Sequence, residues 1–226
     1  MCFQRDALGL DIPETVPHVA CAVVVDASGP HARSIAEHST NSIKRTNELL
    51  ASNDVARRRV EFAVIEAAGN VGFLSCFSPL RRHLRVTVRS GGSSCVEEGM
   101  SLAHVAIHEL MADWESKCYV CRRPVIFVVS DAEFCKDDDE SGDDGKFYCE
   151  SGLLCPYMVS VGTKVRPACA FEDMRIVVRD ATEIDKAFEW LSGFLVRAVE
   201  GWSEADPLKN LPEDPLCFFA RRGDVQ

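Results

Sequence analysis

The chain has no apolar stretch approaching the roughly 18 residues that a membrane-spanning helix needs, so no span is expected. Its opening, Met1-Cys2-Phe3-Gln4-Arg5-Asp6, lacks a basic segment followed by an apolar core and does not read as a secretory signal. Positive charge is scarce: 25 Lys and Arg stand against 35 Asp and Glu, a formal charge of −10. Nucleic-acid binding relies on clustered cations that neutralise phosphates. The two small basic groups, Arg57-Arg58-Arg59 and Arg81-Arg82, read as solvated ends of elements, so no nucleic-acid partner is expected. Two motifs are also missing, the Gly-x-Ser-x-Gly elbow and a phosphate-binding glycine loop with Lys, which leaves hydrolase and nucleotide-binding readings without a motif. No nucleophile and base stand in a recognisable context, and the chain is read as a non-enzyme. The expected setting is the cytoplasm.

Cysteine, in contrast, is plentiful. Eleven residues is an odd number, and with no secretion signal a disulfide scaffold is not expected. Cys21 and Cys76 each fall in an apolar strand pattern, where Cys serves as a small core residue. Cys118, Cys121, Cys135, Cys149, Cys155 and Cys169 crowd the irregular second half. With 226 residues, 46% of them hydrophobic, the chain can bury one substantial core.

Residues 1–17 read as a polar leader, 18–200 as the folded domain with a Cys-rich and acidic insertion at about 132–156, and 201–226 as a tail. Strands are expected at His18 to Asp26, Val60 to Ala67, Val71 to Phe77, Pro124 to Val129, Tyr157 to Val161 and Arg175 to Val178, with a brief extended piece at Arg85 to Val88. Helices are expected at Ala32 to Ala51, Val96 to Trp114 and Glu183 to Val199, each from apolar residues at helical spacing. Gly69-Asn70 suits a hairpin between the second and third strands. Strands alternating with helices predict an α/β fold: a doubly wound, mostly parallel central sheet flanked by helices, with one antiparallel edge strand.

The first strand ends in Val23-Val24-Val25-Asp26-Ala27-Ser28-Gly29-Pro30, which places a carboxylate and a hydroxyl where ligands of open α/β sheets gather. A polar loop, Ser90-Gly91-Gly92-Ser93-Ser94, leads into the second major helix, and the strand from Pro124 ends in Ser130-Asp131. In this order the three segments resemble a von Willebrand factor A domain. Within that superfamily the chain is most similar to the bacterial TerY-type domains associated with tellurium resistance and stress response. The narrower likeness rests on Asn53-Asp54-Val55-Ala56, Phe77-Ser78-Pro79-Leu80, Phe188-Glu189-Trp190-Leu191-Ser192 and Leu211-Pro212-Glu213-Asp214-Pro215.

The resemblance implies a metal-ion-dependent adhesion site (MIDAS) for Mg, held by Asp26, Ser28, Ser93 in the place of Thr, and Asp131. Two positions depart from the pattern: Pro30 stands where the family has a second Ser, and the family's Asp-Gly is Asp131-Ala132 here. The site is therefore a degenerate one; magnesium keeps waters readily, so solvent can stand in for one lost oxygen at reduced affinity. The resemblance also implies protein partners, a protein kinase and a metal-dependent protein phosphatase. They would dock on loops at the carboxyl edge of the sheet.

Another reading is a structural domain stabilised by zinc or calcium. Cys118-Tyr119-Val120-Cys121 has the spacing at which two thiolates meet one zinc, and Cys149 with Cys155 would complete a tetrahedral set, although five residues separate that second pair. Asp137, Asp139, Ser141 and Asp143 place oxygens at alternate positions with Gly142 at the sixth, as in a calcium loop, but the twelfth position is Tyr148 and not Glu. His104 and His108 share a helix face, yet Val105 follows the first His where a zinc protease carries Glu.

Overall fold

A computed structural model describes residues 3–5, 11–13, 16–80, 83–131, 155–162, 175–200 and 218–219. The acidic loop with Asp137, Asp139, Ser141 and Asp143, together with Cys135, Cys149, Cys169 and Ala132, lies outside them. Two short strands, β1 (Phe3–Arg5) and β2 (Asp11–Pro13), pair antiparallel in the segment read as a leader, apart from the main sheet.

The sheet is organised around β3 (Val19–Val25), whose seven residues are all fully buried. An unbroken apolar run suits a strand covered on both faces. Alternation divides it: Val19, Cys21, Val23 and Val25 face one core, and the smaller Ala20 and Ala22 with Val24 face the other. β3 pairs in parallel with β4 (Val60–Ala68) on one side and β6 (Val125–Ser130) on the other. β7 (Cys155–Val161) and β8 (Arg175–Val178) continue the parallel array. β5 (Asn70–Pro79) is the antiparallel edge, reached through Gly69, whose positive φ of 75° makes the tight reversal. At the opposite edge β9 (Phe218–Phe219) adds a second antiparallel strand to β8, beyond the single one expected. The order is β5-β4-β3-β6-β7-β8-β9.

Three helices cover the first face: α1 (Ala32–Ser52), the short α2 (Ala56–Arg59) and α4 (Ile184–Val199). Asn53 ends α1 and starts α2, because its Oδ1 accepts the backbone N–H groups of Val55 (3.0 Å) and Ala56 (2.8 Å). Phe188, Trp190 and Phe194 of α4 meet Phe127 and Tyr157 from the sheet, with ring centroids 4.8 to 6.5 Å apart. α3 (Val96–Ser116) packs Met100, Ala103 and Ile107 on the other face, and Glu97 and Glu98 in its first turn complement the helix dipole.

One expectation fails. Cys76 is exposed. β5 is an edge strand, and its register against β4 shifts between Phe62, which faces Ser78, and Val64, which faces Ser75; Cys76 lies in that irregular stretch, so simple alternation no longer assigns its face. The piece at Arg85 to Val88 alternates exposed and buried residues but joins no sheet. It buries Val86 and Val88 against the α1 side, but the Val88 N–H goes to Thr40 Oγ1 (3.0 Å) because no strand edge is available to it.

The amino end of the sheet is closed by His18. Its ring stacks on Tyr119 at 4.4 Å, tilts against Trp114 at 5.1 Å, and presents Nε2 to Nη1 of the buried Arg59. Burial, aided by the Arg59 charge, pushes its pKa down to about 4. Between the ordinary value of 6.5 and about 4 the unfolded chain takes up a proton that the folded chain refuses, so stability falls as pH drops through that window. The loss is on the order of 2 kcal/mol. His18→Gln keeps an acceptor for Arg59 and cannot titrate. Urea unfolding at several pH values should show a shallower loss in that variant than in the wild type.

Candidate cation and docking site at the carboxyl edge of the sheet

β3 carries Asp26 to its carboxyl end, where the carboxylate is fully buried. Its Oδ1 accepts the N–H of Ser28 at 3.1 Å, the short-range turn that Asp-x-Ser favours. Its Oδ2 accepts two hydroxyls, from Ser94 and Ser130, both at 2.8 Å. Asp26 thus ties together the loops after β3, before α3 and at the end of β6.

Asp131 follows β6 and is 6% exposed. Its Oδ2 accepts the N–H of His31 at 2.5 Å, at the amino end of α1, where the helix dipole favours negative charge. Its Oδ1 is buried with no hydrogen-bond partner among the described residues. Such an atom carries a desolvation cost unless something else meets it. Gly29 lies directly against this carboxylate: a Cβ built on it would stand 2.2 Å from Oδ1.

The Gly-Gly loop is fixed as firmly. Glu66, at the end of β4 and 2% exposed, accepts the Arg89 N–H at 2.6 Å and its guanidinium at Nε (2.9 Å) and Nη2 (2.5 Å). Both guanidinium nitrogens meet Oε2 and the backbone amide meets Oε1, so each oxygen of the buried carboxylate has a donor and the bonds to Oε2 are charge-assisted. Gly91 N–H donates to Ala27 O (2.8 Å), Gly69 N–H to Ser93 O (2.8 Å), and Cys95 N–H to Ala67 O (3.0 Å). Gly92, at φ 89°, passes so close to Gly69 that a Cβ would fall 2.5 Å from the Gly69 Cα.

The structure places Asp26, Ser28 and Asp131 at one edge. It places Ser93 differently: that side chain is exposed, with Oγ 3.9 Å from Cys95 Sγ, and the hydroxyl that reaches Asp26 belongs to the next residue, Ser94. Counting back from the helix start gives the reason. Cys95 is already bonded to Ala67 at the sheet margin, so Ser94 sits at the sheet end and Ser93 points outward. Pro30 is exposed and offers no side-chain oxygen. Sequence reasoning also missed Ser130 as a hydrogen-bond donor, His31 as the amide that holds Asp131, and the Glu66–Arg89 clamp.

These residues fit a hard cation. Two carboxylates and the hydroxyls of Ser28 and Ser94 are all oxygen donors, the chemistry that magnesium takes, and Asp131 Oδ1 is a buried acceptor with no donor among the described residues. A hydroxyl that donates its proton to Asp26 keeps its lone pairs for an ion.

Of the other candidates, Cys118 is exposed and Cys121 half-buried at the opposite, amino end of the sheet, and Cys155 opens β7. Cys149 lies outside the described residues. His104 and His108 stand on the outer side of α3, and burial together with the charge of His108 holds the pKa of His104 down. Among the described residues no three His, Cys, Asp or Glu side chains are grouped to hold a metal. Among them, too, no helix is long and apolar enough to cross a membrane.

No protein-family profile and no curated protein sequence matches the chain. Solved structures do. The von Willebrand factor domain of the type V pilus tip protein Mfa5 from Porphyromonas gingivalis superposes with a TM-score of 0.60 at 10% identity, covering 84% of this chain and 98% of that one. The pilus adhesin SpaC from Lactobacillus rhamnosus GG gives 0.62 at 10% identity over 82% of this chain and 31% of SpaC. Proximal thread matrix protein 1 of the mussel byssus, in a structure with a zinc-occupied MIDAS motif, gives 0.52 at 13% identity over 81% of this chain. The chain spans about half the length of that mussel protein (46%). It has the von Willebrand factor A fold.

Proposed function

We propose that the chain is a non-enzymatic, cytoplasmic protein-interaction module of the TerY type. It docks a protein partner through the loops at the carboxyl edge of its sheet. The observation that carries this reading is the pair of buried carboxylates there, Asp26 binding three loops together and Asp131 holding one oxygen that meets no donor among the described residues. A divalent cation, magnesium above all, would be held by Asp26, Ser28, Ser94 and Asp131, with solvent taking the position that Pro30 leaves without an oxygen. Bound there, the ion offers an open coordination position to a carboxylate of the partner. The mussel structure with zinc at its own motif supports the general chemistry. The partners implied by the TerY likeness are a protein kinase and a metal-dependent protein phosphatase.

Affinity capture with the whole chain tests this. A partner retained in magnesium should be released by a chelator and lost with Asp26→Asn. Retention unchanged by both treatments would remove the metal-bridged form of the proposal.

A further inference from the structure

A second donor-rich site lies at the far end of the sheet. The last turns of α3 and the segment after it enclose a groove of about 480 Å³, lined by His108, Met111, Glu115, Cys118, Tyr119 and Cys121. Both cysteines are free thiols, one exposed and one half-buried, so a solute can reach them. The thioether of Met111 and the ring of Tyr119 form the apolar part of the wall.

The backbone that presents them is unusual. α3 closes with Lys117 N–H and Tyr119 N–H both bonded to Trp114 O, at 3.1 and 3.0 Å, and with Cys118 at φ 58°. Helices commonly stop on a left-handed residue, and that residue is usually Gly, because a Cβ there is strained. Of the described non-glycine residues only Cys118 has a positive φ. The chain thus carries a thiol at a position where glycine would fold at lower cost, and the turn it makes puts Cys121 on the same groove. Strain retained at one residue motivates a functional hypothesis when a site stands beside it.

The donors indicate the ligand. Two thiols and a thioether are soft, and soft sulfur sets select copper(I) over hard cations. Among the described residues no third His, Cys, Asp or Glu is grouped with the thiols to hold a metal, so these residues alone do not assemble the tetrahedral set of a structural zinc. A monovalent d¹⁰ ion is satisfied by two or three sulfurs.

We propose that this groove binds copper(I) through the Cys118 and Cys121 thiolates, with the Met111 thioether as third donor. Binding releases two thiol protons to solvent and changes no oxidation state.

The test is an anaerobic titration of the reduced whole chain against the copper(I)–bicinchoninate complex, on the wild type and on Cys118→Gly, Cys121→Ser and Met111→Leu. The wild type should withdraw one equivalent of copper(I) more than Cys118→Gly or Cys121→Ser, whatever the remaining cysteines contribute. Met111→Leu should keep the equivalent but hold it at least tenfold more weakly. Cys118→Gly relieves the left-handed backbone, so its melting temperature should equal or exceed that of the wild type, which separates loss of the site from loss of the fold. Equal copper uptake by the wild type and Cys118→Gly overturns the site. Unchanged affinity in Met111→Leu overturns the three-sulfur assignment, and zinc displacing the copper mole for mole overturns the choice of ion.

Discussion

Asp26→Ala should lower the unfolding free energy by about 2–3 kcal/mol, seen in urea titrations as a lower midpoint with an unchanged slope. Three donors lose their acceptor at once: the Ser28 amide and the hydroxyls of Ser94 and Ser130. Water can reach the first two, since Ser28 is half-exposed and Ser94 exposed. Ser130 is fully buried, and its hydroxyl loses this acceptor inside the sheet. Relief of a buried charge works in the other direction, which is why the expected cost stays well below three full hydrogen-bond penalties. Asp26→Asn separates structure from charge. It keeps the shape and one acceptor oxygen, so it should cost about 1 kcal/mol while removing the response to divalent cations.

Gly29→Ala is the second large effect, at about 2 kcal/mol, and it comes from space alone. The added methyl would lie 2.2, 2.6 and 2.9 Å from Oδ1, Cγ and Oδ2 of Asp131, so the whole carboxylate must move. Moving it breaks the bond to the His31 amide and withdraws a negative charge from the start of α1. Close overlap in a packed region costs about 1–3 kcal/mol. The cause is verified by a double-mutant cycle. Once Asp131→Ala has removed the carboxylate, Gly29→Ala should cost much less, a coupling of about 1 kcal/mol or more. Equal costs in both backgrounds would mean that the methyl meets something other than Asp131.

Much of this edge could be read from the chain alone. The β3 run announced its strand because an apolar stretch closed by Asp has few other interpretations in an α/β pattern, and α1, α3 and α4 fell within two residues of their expected ends because their apolar spacing is regular. What escaped was set by contacts distant in sequence. Nothing local in Glu66 or Arg89, 23 residues apart, signals that the pair clamps the Gly-Gly loop. Ser93 and Ser94 are chemically identical neighbours, and only the pairing of Cys95 with Ala67 decides which one faces the sheet end. Cys76 was misplaced because a register shift in an edge strand is not written in its own residues. α2, four residues long, depends on the Asn53 cap and not on periodicity.

The most direct test of the carboxyl-edge site is calorimetric titration of magnesium into the whole chain, beside the Asp26→Asn variant. We expect saturable binding of one ion by the wild type and none by the variant. Absence of binding in the wild type, or the same binding in both, would contradict a cation held between Asp26 and Asp131.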